Sequence, residues 1–344
     1  MRVSLSYPRI LAAVLFLSTL LGAGYAASTS TASFGSYNPN WDGSQGLRVL
    51  ADTHTETTIA ETTTPYTTHG ENTTSFILSP HDDYTPRQVD RIRGFLARGG
   101  TLVVASDFQP YANHLLSRLG VASRIDGRLV RDEHNYYRGP ALPIASRVTA
   151  PLNETVHQLT LNHASMIQAD PNATLLVSTS GYAYVDANRN GELDDTETLD
   201  SYPVVVSEAV GPGRVVVVSD PSVFINAMLD RPDNRRFARA LFSERVLLDY
   251  SHTSSVPVLA HVLLLVRDSR FFQLVLSVLV LGVGWGLVRG LPISLRESSE
   301  ASSVSLSFEE RCALVRDEHP EWDAERVERV ARSIRSSTEP TGND

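Results

Sequence analysis

Two uninterrupted apolar runs dominate the hydrophobic pattern, and they enclose a long region of short periodic stretches. The first run is Ile10–Ala27 and the second is Phe271–Val288, each eighteen residues long and free of charge. Eighteen residues rising about 1.5 Å each span roughly 27 Å as a helix, close to the thickness of a thin bilayer core. The pattern predicts two transmembrane helices, the first being either a cleaved signal or an anchor. A buried core helix is the alternative for each.

Arginines flank the two runs on their outer sides. Arg2 and Arg9 precede the first run, and Arg289 and Arg296 follow the second. The positive-inside rule then places both chain ends in the cytoplasm, with the middle outside the cell membrane. The predicted organisation is a signal or anchor at 1–27, an extended tether at 28–46, an extracytoplasmic α/β domain at 47–256, an apolar helix and transmembrane helix at 257–289, and a cytoplasmic helical tail at 290–344.

The middle region alternates strand patterns with helix patterns. Thr85-Pro86-Arg87-Gln88 is a capping box with proline at the first helical position, and Gly99-Gly100 ends the helix that it starts. The apolar stretch Thr101–Ala105 follows at once, as expected for a strand that is covered on both faces. Strand, helix and strand in this order form a βαβ unit. The fold class predicted is therefore a three-layer, flavodoxin-like α/β fold with a mostly parallel sheet, transmembrane helices and a small helical tail.

Further elements follow from the same periodicities. The predicted strands are Leu47–Leu50, Ser75–Leu78, Thr174–Thr179, Tyr182–Val185, Val204–Ser207 and Arg214–Ser219. The predicted helices are Gln109–Leu119, Asn234–Leu248, Pro257–Val266, Phe308–Glu318 and Ala324–Ser336.

Composition narrows the classes of function. The chain has a net charge of -9, all thirty basic Lys-plus-Arg positions are Arg, and no basic stripe lies outside the tail, so a nucleic-acid partner is excluded. Cys312 is the only cysteine, which excludes a disulfide framework. Three glycosylation sequons, at Asn72, Asn153 and Asn172, lie in the middle region and predict a glycoprotein.

The sharpest motif in the chain is a twelve-residue acidic segment, 186–197. It matches the calcium loop at every specified position, with oxygen side chains at positions 1, 3, 5, 9 and 12 and glycine at position 6. Its flanks are strands, whereas an EF-hand has helices. The predicted ligands of Ca²⁺ are Asp186, Asn188, Asn190, Glu192 through its carbonyl, Asp194 through water, and Glu197. The alternative is an Asn-Gly hairpin turn carrying solvated acids.

Two predicted strands end alike, in Ser106-Asp107 and Ser219-Asp220. Ligands of open α/β sheets bind outside the carboxyl ends of the strands, so Asp107 and Asp220, with the nearby amides Asn113 and Asn226, are candidates for a shared crevice. The alternative is that these residues cap helices and turns.

A weaker motif follows another strand. His81, Asp82 and Asp83 resemble a shortened form of the motif of zinc-dependent sugar deacetylases, in which a His and an Asp bind zinc and a second Asp acts as the base. The simpler alternative is that the two carboxylates lie before a helix N-terminus, where the helix dipole favours anions.

Several ordered segments resemble an archaeal, haloarchaeal-type family of membrane-anchored proteins, the domain of unknown function 4350. The segments are Tyr37-Asn38-Pro39 with Trp41-Asp42-Gly43 and Leu47-Arg48, Phe95 with Gly99-Gly100-Thr101-Leu102-Val103, and Gly213-Arg214-Val215 through Ser219-Asp220-Pro221-Ser222 to Phe224-Ile225-Asn226. The resemblance implies a fold like that of class I glutamine amidotransferases. Amidotransferase chemistry needs a nucleophilic Cys on a strand-to-helix elbow, and the predicted outer domain has no cysteine.

These observations favour a membrane-anchored, noncatalytic binding or assembly module, stabilised by calcium, whose partners are the membrane and other envelope or membrane proteins. The first alternative is a zinc-dependent hydrolase acting on envelope sugars. The second is a transmembrane coupling protein whose tail docks a cytosolic partner.

Overall fold

The computed structural model describes residues 29–252 and 307–333, with isolated residues in the two apolar runs at positions 15, 18, 19, 22, 271, 274 and 278. It divides the chain into two compact units, Met1–Leu274 and Val275–Asp344. The first contains an α/β domain, and the second contains two short helices.

The prediction of transmembrane helices is not supported and is corrected here. Among the described residues, no helix is both long and apolar enough to cross a bilayer. Most of Ile10–Ala27 and Phe271–Val288, and all of the predicted helix Pro257–Val266, lie outside the described residues. A run of eighteen residues is near the lower limit for a transmembrane helix, so hydropathy by itself was a weak basis for predicting one. The membrane placement and the glycosylation of the sequons depended on these spans and are likewise not supported.

The α/β domain contains more strands than helices. Those described are β1 (Glu56–Ala60), β2 (Thr73–Leu78), β3 (Thr101–Ala105), β4 (Arg124–Asp132), β5 (Ile144–Ala145), β6 (Arg147–Val148), β7 (Leu159–Thr160), β8 (Ser165–Gln168), β9 (Thr174–Ser178), β10 (Ala183–Asp186), β11 (Pro203–Val210), β12 (Gly213–Val218) and β13 (Arg245–Asp249). The helices of this unit are α1 (Gln45–His54), α2 (Pro86–Ala97), α3 (Tyr111–Leu119), α4 (Asn226–Leu229) and α5 (Asn234–Ala240), with 3₁₀ turns at Thr64–Thr67, Leu152–Glu154 and Pro221–Phe224.

An eight-stranded sheet in the order β1-β13-β2-β3-β12-β11-β9-β6 forms the centre of the domain. The pairings from β1 to β12 are parallel. Those from β12 to β6 are antiparallel, so the predicted mostly parallel sheet has an antiparallel half that the βαβ pattern did not reveal. The α/β class itself is confirmed.

Successive residues of the central strands point to opposite faces of the sheet, and both faces are buried. One face carries Phe76, Val103 and Val216 and packs against Leu47 of α1 and Phe237 of α5. The other face carries Ile77, Val104 and Val217 and packs against Ile92 of α2 and Leu115 of α3. Helices therefore cover both sides of the sheet in three layers.

The predicted unit β2-α2-β3 is confirmed. Gln88 Oε1 accepts a hydrogen bond from Thr85 N at 2.7 Å, which closes the capping box at the start of α2. Two glycines let this helix lie close to the sheet: a Cβ at Gly100 would meet the Phe95 ring at 2.4 Å, and a Cβ at Gly213 would meet the Leu96 carbonyl oxygen at 2.5 Å.

Two predicted elements need correction. Leu47–Leu50 belongs to helix α1 because Leu47, Leu50 and Ala51, spaced as on one helix face, are its buried residues. The predicted helix Asn234–Leu248 ends at Ala240, and its remainder is strand β13 in the middle of the sheet. A strand buried on both faces is uniformly apolar, so periodicity cannot distinguish it from a buried helix.

The segment predicted as an extended tether packs against the domain. Asn38 is fully buried and donates to Asp42 Oδ1 at 3.0 Å. Ser44 Oγ lies 2.9 Å from Tyr250 OH. The polar composition of residues 28–46 suggested a tether, but the polar side chains described there form hydrogen bonds that stabilise turns.

A smaller antiparallel sheet, β10-β4-β8, lies at the carboxyl end of β12. Ser165 N of β8 donates to Ser219 O at 3.0 Å, and Ser219 Oγ donates to Ser165 O at 2.7 Å. The two-stranded sheet β5-β7 comes between β4 and β8 in the chain. The small sheet thus brings β8, and the loop that follows β10, to the edge where α/β folds bind ligands.

The second unit contains α6 (Phe308–Glu318) and α7 (Ala324–Ser333), which confirms the predicted tail helices; residues 334–336 lie outside the described residues. Ser307 Oγ accepts from Glu310 N at 3.3 Å, and Glu310 Oε2 accepts from Ser307 N at 2.8 Å. Val315, Val327 and Ala331 are buried.

Candidate functional site

The parallel strands end together at one edge of the sheet, and polar residues mark most of these ends. Ser79 follows β2, Ser106-Asp107 follows β3, and Ser219-Asp220 follows β12. Asp249 is the last residue of β13. The sheet topology thus brings together carboxylates that are far apart in sequence.

Asp220 is the most deeply placed of these carboxylates, with no exposed surface. Its Oδ1 accepts from Ser222 N at 2.8 Å, and its Oδ2 accepts from Asn162 N at 2.6 Å. Burial raises its pKa to about 7, and the charge of Asp107 adds to the rise, while the two backbone N–H groups oppose it. Asp220 caps the turn Pro221–Phe224 and ties it to the loop before β8.

Asp107 is half-buried, and its Oδ1 accepts from Phe108 N at 2.6 Å. Burial raises the pKa of its carboxyl group, against the opposing effects of backbone N–H groups and of His163. The neighbouring Ser106 is fully buried, and within the described part of the chain its Oγ has no hydrogen-bond partner. At the end of β3 a fully buried serine is therefore followed at once by a half-buried aspartate.

An aromatic ring and two nitrogen-bearing side chains border Asp107. Phe108 is 37% exposed, and the Arg189 guanidinium carbon lies 5.3 Å from the centre of its ring. His163 is exposed, and its Nδ1 lies 2.9 Å from Asn162 Oδ1. This site offers a carboxylate, an imidazole, a guanidinium and an apolar ring face, which together suit a small polar ligand.

The predicted crevice is assembled only in part. Asn113 binds the main chain of Ile125 through both amide atoms, at 2.8 and 3.0 Å. Asn226 accepts from Gly46 N at 2.7 Å and donates to the carbonyls of Asn38 and Asn40. Both amides hold chain segments together, and the carboxylates Asp107 and Asp220 remain as neighbours.

A second polar cluster, at the end of β13, was missed because its members are distant in sequence. Asp249 accepts from Tyr66 OH at 2.8 Å and from Ser251 N at 2.8 Å, and burial raises the pKa of Asp249 and, strongly, that of Tyr66. His252 packs against Tyr84 with ring centres 3.9 Å apart, and burial lowers the pKa of His252 against the pull of nearby carboxylates. This cluster forms a polar network within the fold.

The candidate zinc residues His81, Asp82 and Asp83 are all exposed. Asp83 Oδ1 lies 2.7 Å from His114 Nδ1, in an exposed pair. Over residues 29–252 and 307–333, no three His, Cys, Asp or Glu side chains converge to hold a metal ion. The structure thus does not assemble the zinc site that a deacetylase-like reaction needs.

The candidate calcium residues lie in the loop that begins at the last residue of β10. Asp186 is 1% exposed, and Asn188, Asn190 and Glu192 are exposed. The sequon residues Asn72, Asn153 and Asn172 are also exposed. Because Arg189 belongs to this loop and lies over Phe108, the loop adjoins the Asp107 site.

Sequence reasoning also missed a cleft of about 640 Å³ beside α5. It is lined by Glu154, Thr155, His157, Arg236, Arg239 and Ala240. Arg236 Nη1 lies 2.5 Å from Asp233 Oδ1, so the charge of this arginine is already paired within the domain. The Arg-Arg-Phe-Ala-Arg sequence of α5 was the available signal.

Residues 36–242 match a family described as Domain of unknown function (DUF4350). The chain belongs to the DUF4350 family. The match confirms the family that the sequence resembled, but it does not support the archaeal origin, the membrane anchor or the amidotransferase-like fold. No curated protein matches the chain.

Three solved structures illustrate distant likenesses to this DUF4350 protein. The mmIFT52 N-terminal domain is 14% identical, with 49% of this chain and 74% of that chain covered and a TM-score of 0.39. The cytoplasmic protein STM1381 of Salmonella typhimurium LT2 is 12% identical, with coverage of 58% and 86% and a TM-score of 0.38. A β-galactosidase of Bacillus circulans sp. alkalophilus is 14% identical, with coverage of 48% and 22% and a TM-score of 0.28. Likenesses at this level carry no role over to the DUF4350 domain.

Proposed function

We propose that the DUF4350 domain is a noncatalytic binding module that takes a small polar ligand at the carboxyl ends of β3 and β12. The observation that carries the proposal is the half-buried carboxylate of Asp107, whose pKa is raised by burial, next to the partly exposed ring of Phe108. A half-buried carboxylate is partly desolvated, so a ligand that donates a hydrogen bond to it gains affinity by stabilising its charge.

The chemistry of the site defines the ligand class. Asp107 offers an acceptor whose pKa is raised by burial, and a bound hydrogen-bond donor would stabilise its charged form. Phe108 offers an exposed ring face next to it. The ligand therefore presents a donor group, either an ammonium or a hydroxyl, next to an apolar surface.

The proposal includes no catalytic step. The carboxyl groups of Asp220 and Asp249 are occupied by hydrogen bonds within the fold, and Ser219 Oγ donates to the main-chain carbonyls of Ser165 and Val204. We also propose that the domain has the amidotransferase-like architecture that the resemblance implies, as a scaffold that lacks the nucleophilic cysteine. We therefore expect no hydrolysis of glutamine by the purified protein.

The test is a binding screen on the full chain, with thermal unfolding and ligand-observed NMR as readouts. One arm contains small primary ammonium compounds, and the other contains neutral polyols of similar size. The proposal expects saturable binding in one arm that Asp107→Asn weakens about tenfold or more, the scale of a charged hydrogen bond. The matched control Asp52→Asn, an exposed carboxylate in the Arg48 pair, should leave binding unchanged. Equal loss in both variants, or turnover of a bound compound, would overturn the proposal.

A further inference from the structure

We propose that the loop Asp186–Glu197 is a Ca²⁺ site, a metal site separate from the ligand site at Asp107. The deciding observation is the Asp186 side chain, which is 1% exposed and whose Oδ1 has no hydrogen-bond partner within the described part of the chain. Its other oxygen, Oδ2, accepts from Gly191 N at 3.1 Å, so the carboxylate faces the loop interior. A buried carboxylate oxygen without a partner is strongly disfavoured unless a cation satisfies it.

The oxygens at loop positions 3 and 5 are oriented by the backbone. Asn188 Oδ1 accepts from Asn190 N at 3.0 Å, and Asn190 Oδ1 accepts from Glu192 N at 2.9 Å. Each amide oxygen has a second lone pair, which is available to a cation. Gly191 has φ +82°, the conformation that the sharp turn at position 6 requires.

Position 12 closes the loop. Glu197 Oε1 accepts from Ala187 N at 2.9 Å, and Glu197 Oε2 accepts from Asp194 N at 3.2 Å. The carboxylate is thus held between the two ends of the loop, where a calcium loop places its bidentate glutamate. The donor set of carboxylate, amide and carbonyl oxygens suits Ca²⁺, which accepts six to eight oxygens in flexible geometry, better than Mg²⁺, which requires a strict octahedron.

Two features set the affinity. Asp194 Oδ2 accepts from the side-chain amides of Asn188 and Asn190, at 2.6 and 3.0 Å, so Asp194 must give up these bonds to serve the ion. Arg131 Nε lies 3.9 Å from Asp186 Oδ2 and offsets part of its charge. In the described chain the carboxylates do not converge by themselves, so the ion must draw them together. We therefore expect a dissociation constant of about 10⁻⁴ to 10⁻³ M, the range of weak calcium modules.

The experiment is calorimetric titration of the full chain, stripped with chelator, with CaCl₂ and separately with MgCl₂ at constant ionic strength. The expected result is one saturable site for Ca²⁺ and at least roughly tenfold weaker binding of Mg²⁺. Glu197→Gln and Asp186→Asn should each weaken Ca²⁺ binding by about tenfold or more, the scale of losing a ligand contact. Because Asp186 is buried and its substitution also tests folding, the half-buried Glu197 provides the second variant.

The control is Asp195→Asn, which removes one exposed charge from the same loop at position 10, where no ligand is expected. Unchanged affinity in this variant, together with loss in Glu197→Gln, supports the site. An absence of saturable binding up to about 10 mM Ca²⁺, well above the expected range, would overturn it. So would equal loss in Glu197→Gln and Asp195→Asn, because that pattern indicates attraction to the overall charge of the loop.

Discussion

The buried Asp220 should make the domain less stable as the pH rises through neutrality. Its pKa in the folded protein is about 7, against an ordinary value of 3.8, because burial disfavours the charged form. Between these two values the folded chain binds more protons than the unfolded chain. By linkage, the free energy of unfolding therefore falls as the pH rises from about 4, and the loss is complete above about 7.

The magnitude follows from the separation of the two pKa values. The full effect is roughly 4 kcal/mol, since each unit of separation corresponds to about 1.4 kcal/mol. About 2.5 kcal/mol of it falls between pH 5 and pH 8. Asp107 contributes to the rise through its negative charge, so the effect belongs to the pair rather than to an isolated group.

The perturbation is Asp220→Asn, which removes the titration and keeps the shape. The amide oxygen can accept from only one of the two backbone donors, Ser222 N and Asn162 N, so the variant loses about 1 to 3 kcal/mol at a pH where the native carboxyl is protonated. We expect the difference between the native chain and the variant to shrink by about 2.5 kcal/mol from pH 5 to pH 8. Contributions from groups that do not interact with Asp220 cancel in this difference, whereas the coupled titration of Asp107 is part of it.

The assay is urea unfolding, followed by circular dichroism, at intervals from pH 5 to pH 8. Asp52→Asn is the control, because Asp52 is exposed in its pair with Arg48 and should change stability by less than about 1 kcal/mol across the range. A difference between the native chain and Asp220→Asn that stays constant over this range would refute the reasoning.

Two further predictions concern packing. Gly213→Ala should destabilise the domain by about 1 to 3 kcal/mol in urea unfolding, because the new Cβ would lie 2.5 Å from the carbonyl oxygen of Leu96. The control Gly139→Ala should be close to neutral, because its new Cβ would meet nothing within 4 Å. Phe224→Ala should lower the free energy of unfolding by about 3 to 5 kcal/mol, because this fully buried ring packs against two other rings. Val49→Ala, at a 49% exposed position, is the control. Similar losses of stability in both variants would contradict the assignment of this core.

Local signals in the sequence were sufficient for several elements. The capping box at Thr85, the stripe of α2, the Gly99-Gly100 stop and the strand after it all act within a few turns of chain, and the structure contains each of them. The loop from Asp186 to Glu197 is also local, because its hydrogen bonds join residues at most ten positions apart. Spacing along the chain therefore predicts its shape, while the ion remains a proposal.

Tertiary structure decided what local patterns could not. The apolar run Val246–Leu248 has no periodicity to show its type, and it becomes a strand only because it inserts between β1 and β2, which lie far from it in sequence. Separation in sequence also limited the prediction of the candidate site. The rule for parallel sheets predicted that Asp107 and Asp220 are neighbours. It could not predict the small sheet, whose strand β8 follows Asn162 and His163 and places them near these carboxylates. Asn113 and Asn226 show the converse, since their main-chain partners were fixed by packing rather than by position near a strand end. Contacts between distant residues depend on which elements pack together, and a pattern read along one chain contains little information on that choice.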